Sequence, residues 1–93
     1  MSGYTSDQLV AHATADAQMV PTGQRARITG IQAEGAGSST IVFKSGGASG
    51  TVIATFKFGS EGIDFYVPGS GILFEDGVYL DLTATPGVTI TFT

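Results

Sequence analysis

The chain has 93 residues, a net charge of −4 and no cysteine. A chain of this length forms one domain and buries only about 60 to 65 % of the surface that its unfolded form exposes, so we expect modest stability. Disulfides and thiolate metal ligands are excluded, and four Lys and Arg residues are too few to neutralise the phosphates of a DNA or RNA partner.

The composition indicates a folded domain with a weakly charged surface. Charged residues are 13 % of the chain, compared with about 25 % in a typical soluble domain. Hydrophobic residues make up 42 %, and the six Phe and three Tyr argue against disorder. Residues 1–7 contain no basic residue, and nowhere do 18 apolar residues run together. We therefore expect neither a secretion signal nor a membrane partner.

The N-terminal part is predicted to be a loose arm over residues 1–8, followed by a single domain over residues 9–93. Within residues 9–19, alanines at positions 11, 13, 15 and 17 alternate with polar residues. This period predicts one β-strand with a shallow alanine face, against which another sheet or subunit can come close.

The middle of the chain predicts two strands with many β-branched and aromatic residues, over residues 25–33 and 40–45. In the first of them Ile28 and Ile31 fall on opposite faces of an ideal strand. We expect a neighbouring chain to cover one of these faces.

Four later segments carry an apolar residue at every second position, namely residues 51–58, 63–67, 78–84 and 88–93. This is the period of half-buried strands. The side chains predicted to face the core are Val52, Ala54, Phe56 and Phe58, then Ile63, Phe65 and Val67, then Val78, Leu80, Leu82 and Ala84, and last Val88, Ile90 and Phe92.

Turn residues separate these segments. Asp76-Gly77 predicts a tight hairpin, Pro68-Gly69 and Pro86-Gly87 predict type II turns, and residues 46–50 predict a loop. Strands at this spacing predict an all-β fold, an antiparallel β-sandwich or barrel of about seven or eight short strands.

The sequence gives little support for catalysis, a cofactor or a metal site. His12 and Asp16 would lie about 13 Å apart on one strand, too far for direct contact. Two of the later carboxylates could face each other as in a glycosidase, although turns also require charged residues. Weak calcium binding by Glu75 and Asp76 stays open. The five carboxylates are Glu61, Asp64, Glu75, Asp76 and Asp81.

Uncharged strands suggest self-association. Residues 88–93 and 51–56 contain no charge or proline, so as free edges they would recruit other chains. Closed homo-oligomerisation, for which we expect a trimer, covers such edges.

Tyr66 and Tyr79 lie at outward positions and could instead form a sugar-stacking platform. The candidate interface residues are Tyr66, Tyr79, Ile53, Ile31, Ile90 and Phe92.

Four segments resemble small virion proteins of tailed phages, with marine and cyanobacterial phages the nearest comparison. They are residues 25–31 (RARITGI), 41–47 (IVFKSGG), 68–72 (PGSGI) and 77–80 (GVYL). The similarity covers residues 9–93 in outline and consists of a pattern of strands and glycines.

The resemblance implies a β-sandwich of jelly-roll type that decorates or cements the exterior of a capsid. Such a protein would be made in the host cytoplasm, bind the major capsid protein as a trimer and become part of the virion. A carbohydrate-binding module and an adaptor in a tail or head fibre are the alternatives.

Overall fold

The computed structural model describes residues 9–67 and 71–93, and all regular secondary structure in these residues is β-strand. No helix in this part of the chain is long and apolar enough to cross a membrane. The strands are β1 (Leu9–Ala13), β2 (Ala17–Val20), β3 (Ala26–Glu34), β4 (Ser39–Ser45), β5 (Thr51–Phe58), β6 (Ile63–Tyr66), β7 (Ile72–Phe74), β8 (Val78–Thr83) and β9 (Gly87–Phe92).

These nine strands form two sheets in which every pairing is antiparallel. Sheet 1 has the order β1-β9-β3-β6, with β7 also paired to β3, and sheet 2 has the order β2-β8-β4-β5. The predicted all-β, antiparallel sandwich is confirmed. The described residues contain one or two strands more than expected, since residues 9–19 form two strands and β7 was not among the predicted segments.

The core lies between the two sheets and is made by alternate residues of their strands. Phe43 of β4 is 1 % exposed and meets Phe56 edge-on and Phe74 obliquely, with ring centroids 5.7 Å and 6.0 Å apart. The predicted inward residues Val78, Leu80, Val88 and Ile90 are all fully buried. Strand period alone therefore predicts the central strands of each sheet.

The predicted single strand over residues 9–19 is wrong. The chain leaves sheet 1 after Ala13 and enters sheet 2 at Ala17, so β1 and β2 belong to different sheets. Asp16 stabilises this corner because its Oδ1 accepts a 2.7 Å hydrogen bond from the backbone N–H of Leu82. The alanine alternation continues across the corner, which hides the crossing in the sequence.

A β-bulge in β3 overturns the placement of Ile28 and Ile31 on opposite faces. Opposite β9, the register shifts between Ile28 and Gly30, so that Thr29 is an extra residue. An extra residue reverses the alternation that follows it. Both isoleucines therefore point into the core, where they are 0 % and 1 % exposed.

The last strand is not an edge. β9 lies between β1 and β3, so its backbone is paired on both sides. β5, by contrast, is an edge of sheet 2 in the described structure. A bulge opposite Phe43 and Lys44 leaves Ile53 unpaired and turns Val52 outward, where it is 54 % exposed rather than buried as predicted.

Two predicted turns have other roles. Asp76-Gly77 connects β7 of sheet 1 to β8 of sheet 2 and is no hairpin; its glycine has the expected positive φ of 77°. Gly87 begins β9, and the positive φ near Pro86 belongs to Ala84, which lies beyond the end of β8. Residues 46–50 form the predicted loop, and Pro68-Gly69 lies outside the described residues.

Candidate functional site

Large apolar side chains are exposed at both sides of the sandwich. On one side β1, an edge of sheet 1, exposes Leu9 (58 %) and Val10 (68 %). On the other side β6 exposes Phe65 (40 %) and Tyr66 (72 %), and β5 of sheet 2 exposes Val52 and Ile53. The Phe56 and Phe65 rings, 5.7 Å apart, join β5 to β6.

The structure separates the six candidate interface residues. Tyr66 and Ile53 (41 % exposed) lie at the β5–β6 side of the sandwich. Tyr79 is half-buried on the outer face of sheet 2, where it pairs with Gln18 and Lys44. Phe92 packs against the core and is partly buried.

Ile31 and Ile90 were predicted to be available for contacts, and this is wrong. Both are at most 1 % exposed in the single chain. They pair with each other in the centre of sheet 1 and face the core. Tyr66 and Tyr79 also lie on different sheets, so they cannot form one sugar-stacking platform.

The outer face of sheet 1 carries side chains in rows that cross strands β1, β9, β3 and β6. One row consists of Val10, Thr91, Gly30 and Tyr66, and the next of His12, Thr89, Gln32 and Asp64. Hydrogen bonds link the second row, from His12 Nδ1 to Thr89 Oγ1 (2.9 Å) and from Gln32 Nε2 to Asp64 Oδ1 (3.4 Å).

An open cleft of about 450 Å³ lies at one end of this face. Its floor is Gly87: a Cβ there would lie 3.3 Å from both Glu34 Oε2 and His12 Cε1. Glu61 and Asp64 complete an acidic rim. Glu34, Glu61 and Asp64 are solvent-exposed, so the cleft offers hydrogen-bond acceptors to a polar ligand.

Asp16, Asp76 and Asp81 lie away from this cleft. His12 contacts Thr89 of sheet 1, whereas Asp16 contacts the backbone of sheet 2, so the two do not meet. Asp81 pairs with Lys44 at 3.6 Å, and Asp76 Oδ1 accepts a hydrogen bond from the backbone of Gly23. Among the described residues no group of three or more His, Asp or Glu side chains is placed to hold a metal ion.

Comparison with known proteins identifies no relative: no protein-family model, curated protein or solved structure matches this chain.

Sequence reasoning missed Leu9 and Val10, the exposed apolar pair of β1, and the residues of the cleft around Gly87. The signal for the first pair was present, because Leu9 and Val10 are adjacent apolar residues, and adjacent residues of a strand cannot both face the core. The cleft depends on pairing Glu34 with Gly87 across β3 and β9. This is a long-range contact that no local pattern contains.

Proposed function

We propose that this chain is a structural protein of a tailed-phage virion, a decoration or cement protein that binds the major capsid protein on the outside of the head. It works as a homotrimer and stabilises the shell mechanically. It is not an enzyme. The assignment to a virion comes from the similarity of residues 25–31, 41–47, 68–72 and 77–80 to small virion proteins.

The observation that carries the structural role is the position of the exposed apolar side chains. Leu9 and Val10 lie at one edge of sheet 1, and Phe65 and Tyr66 lie at the opposite edge. In the described residues the outer sides of β1 and β6 have no strand partner. Free edges with apolar side chains are sites where other chains add, and a small domain gains stability by covering them.

The strand order supports a jelly-roll topology for this sandwich. Chain-consecutive strands β1, β2, β3 and β4 alternate between the sheets, and β8 and β9 return to lie beside β2 and β1. The result is a five-stranded and a four-stranded layer, each of which contains strands from both ends of the chain, as in the double Greek key of jelly rolls.

The test is binding to the shell. We expect purified protein to co-sediment with phage heads that lack it, to saturate at a fixed ratio to the major capsid protein, and to raise the temperature at which heads rupture. Mass spectrometry of purified virions should find the chain in head fractions. Its detection only in tails or fibres would favour the adaptor alternative, and its absence from virions would contradict the proposal.

A carbohydrate-binding module is the second candidate, favoured by Tyr66 alone. This ring is 72 % exposed and lies on the same face of sheet 1 as Asp64. Asp64 is the last residue in the row of polar side chains. Aromatic faces stack on sugar rings while such groups bind hydroxyls. A glycan array should then show binding that Tyr66→Ala lowers at least tenfold and Tyr79→Ala leaves unchanged. No binding on the array would reject this candidate.

A further inference from the structure

We propose that β1 of one copy pairs with β6 of the next copy, so that sheet 1 continues from subunit to subunit. This inference rests on the self-association in the proposed function and specifies its geometry. The occupant of each free edge of sheet 1 is the opposite edge of a second copy of this chain.

Backbone hydrogen bonds fix which groups of β6 point away from the sheet. The N–H of Val67 donates to Thr29 O at 2.9 Å. Because bonded and non-bonded pairs alternate along an antiparallel ladder, Phe65 and Ile63 also direct their N–H and C=O groups toward β3. Asp64 and Tyr66 therefore direct theirs toward the free edge.

The same reasoning fixes the free edge of β1. Thr93 and Arg27 exchange two backbone hydrogen bonds, of 2.9 and 3.0 Å, so Thr93 and every second residue before it face β3. Ile90 and Phe92 consequently face β1, where they pair with Ala11 and Leu9. Val10 and His12 are left with their N–H and C=O groups directed outward.

One register joins these two edges fully. It sets Val10 opposite Tyr66 and His12 opposite Asp64, so the outward groups of both strands bond to each other. Sliding the strands by two residues leaves an outward residue without a partner among the described residues, namely Tyr66 in one direction and Val10 in the other. In this register the outer face matches an aliphatic side chain with an aromatic one, and an imidazole with a carboxylate.

The inner face of the junction is complementary as well. Ala11 and Ala13 lie opposite Phe65 and Ile63, so each large side chain meets a small one. Leu9, which is 58 % exposed in the single chain, lies opposite Val67. Each of the five pairs is thus apolar with apolar, or His with Asp. Within one chain His12 and Asp64 cannot meet, because three strand spacings, about 14 Å, separate them.

Strand direction permits this arrangement without turning a subunit over. Along the order β1-β9-β3-β6 each strand is antiparallel to its neighbour, so β6 runs opposite to β1. The next copy, in the same orientation, then presents β1 antiparallel to β6. Such a head-to-tail contact gives a ring when the rotation between copies closes and an open filament when it does not, whereas an edge paired with its own copy would give a two-fold dimer. A trimer requires the first kind.

Edge-blocking variants test the pairing. The N–H groups of Val10 and Tyr66 have no partner within the chain in this geometry, so Val10→Pro and Tyr66→Pro leave the intramolecular ladder intact. We expect light scattering to give a closed oligomer for the unaltered chain and a monomer, one third of the trimer mass, for each variant. Mixing the two variants should give one-to-one dimers and nothing larger, because one intact β1 meets one intact β6.

The outcomes separate the alternatives. If only one variant dissociates, the contact pairs an edge with its own copy and the proposal is overturned; if neither does, the contact lies elsewhere. Far-UV circular dichroism and cooperative unfolding check that each variant is folded. Should a proline variant fail this check, Val10→Lys and Tyr66→Lys block the same edges from exposed positions.

A disulfide tests the register. The chain has no cysteine, and bonded cross-strand residues have Cα atoms about 5.5 Å apart, within the range of a disulfide. We expect Val10→Cys with Tyr66→Cys to oxidise into covalent oligomers on a non-reducing gel. The matched pair Val10→Cys with Asp64→Cys lies two residues out of register and should not. Equal cross-linking of both pairs would reject this register.

The test of edge pairing is independent of the assignment to a virion. An unaltered chain that stays monomeric at millimolar concentration would overturn the edge pairing, yet it could still bind heads as a monomer. Conversely, a chain absent from virions could still form the ring.

Discussion

Phe43→Ala should lower the free energy of unfolding by about 3–5 kcal/mol, the range for removal of a buried aromatic side chain. Phe43 is 1 % exposed, and its ring contacts both Phe56 of β5 and Phe74 of β7. Truncation therefore opens a cavity that both sheets line. Small domains have only about 5–15 kcal/mol in total, so chemical denaturation should show a large fall in the midpoint at nearly unchanged slope.

Ile53→Ala is the matched control for this core substitution. Ile53 lies on the neighbouring strand but is 41 % exposed at a bulge, so we expect a loss below about 1 kcal/mol. Both variants are compared at one protein concentration, because association adds to apparent stability. Equal losses for Phe43→Ala and Ile53→Ala would show that the core is not centred on the three phenylalanines.

The sequence predicted the fold class because the central strands obey a strict period of two. In β8 and β9 every second residue is apolar, and four of these side chains are fully buried, namely Val78, Leu80, Val88 and Ile90. Such strands have a neighbouring strand on each side, so the burial of a side chain there depends only on which face of the sheet it occupies. At the edges burial also depends on the sheet order, and there prediction failed for Val52.

The sheet order was the part that the sequence could not predict. Residues 88–93 were expected to need pairing or covering, with self-association as one route, but β9 is paired within the chain to β1 and β3, with residues more than 50 positions away. Its uncharged composition reflects a strand paired on both sides. The free edges of sheet 1 are β1 and β6, two short strands in which apolar and polar residues are mixed.

The exposure of the candidate interface residues was predicted correctly only where the strand period is unbroken. Tyr66 was identified correctly as an outward residue because β6 alternates, and it is 72 % exposed. Ile31 was placed outside because its separation of three from Ile28 implies opposite faces in an unbroken strand. One bulged residue reverses that implication, and bulges depend on the partner strand as much as on local sequence.

Deletion of Thr29 should prevent folding, because the bulge at this residue keeps both halves of β3 in register with the core. Without the extra residue, one half must turn over, since a slip of one residue moves every side chain to the other face. If residues 26–28 turn over, Ile28 leaves the core and Arg27 enters it. If residues 30–34 turn over, Ile31 leaves the core and Glu34 enters it.

Either outcome buries a charged group without a partner and exposes an isoleucine. Together these changes should lower the free energy of unfolding by more than about 5 kcal/mol. Thr29→Ala is the control that keeps the bulge: it removes the hydroxyl that donates to Thr91 O at 3.2 Å and should cost only about 1 kcal/mol. We expect loss of cooperative unfolding for the deletion and a small shift in midpoint for the substitution. A deletion variant as stable as Thr29→Ala would mean that β3 tolerates the slip, and that the bulge does not set which residues face the core.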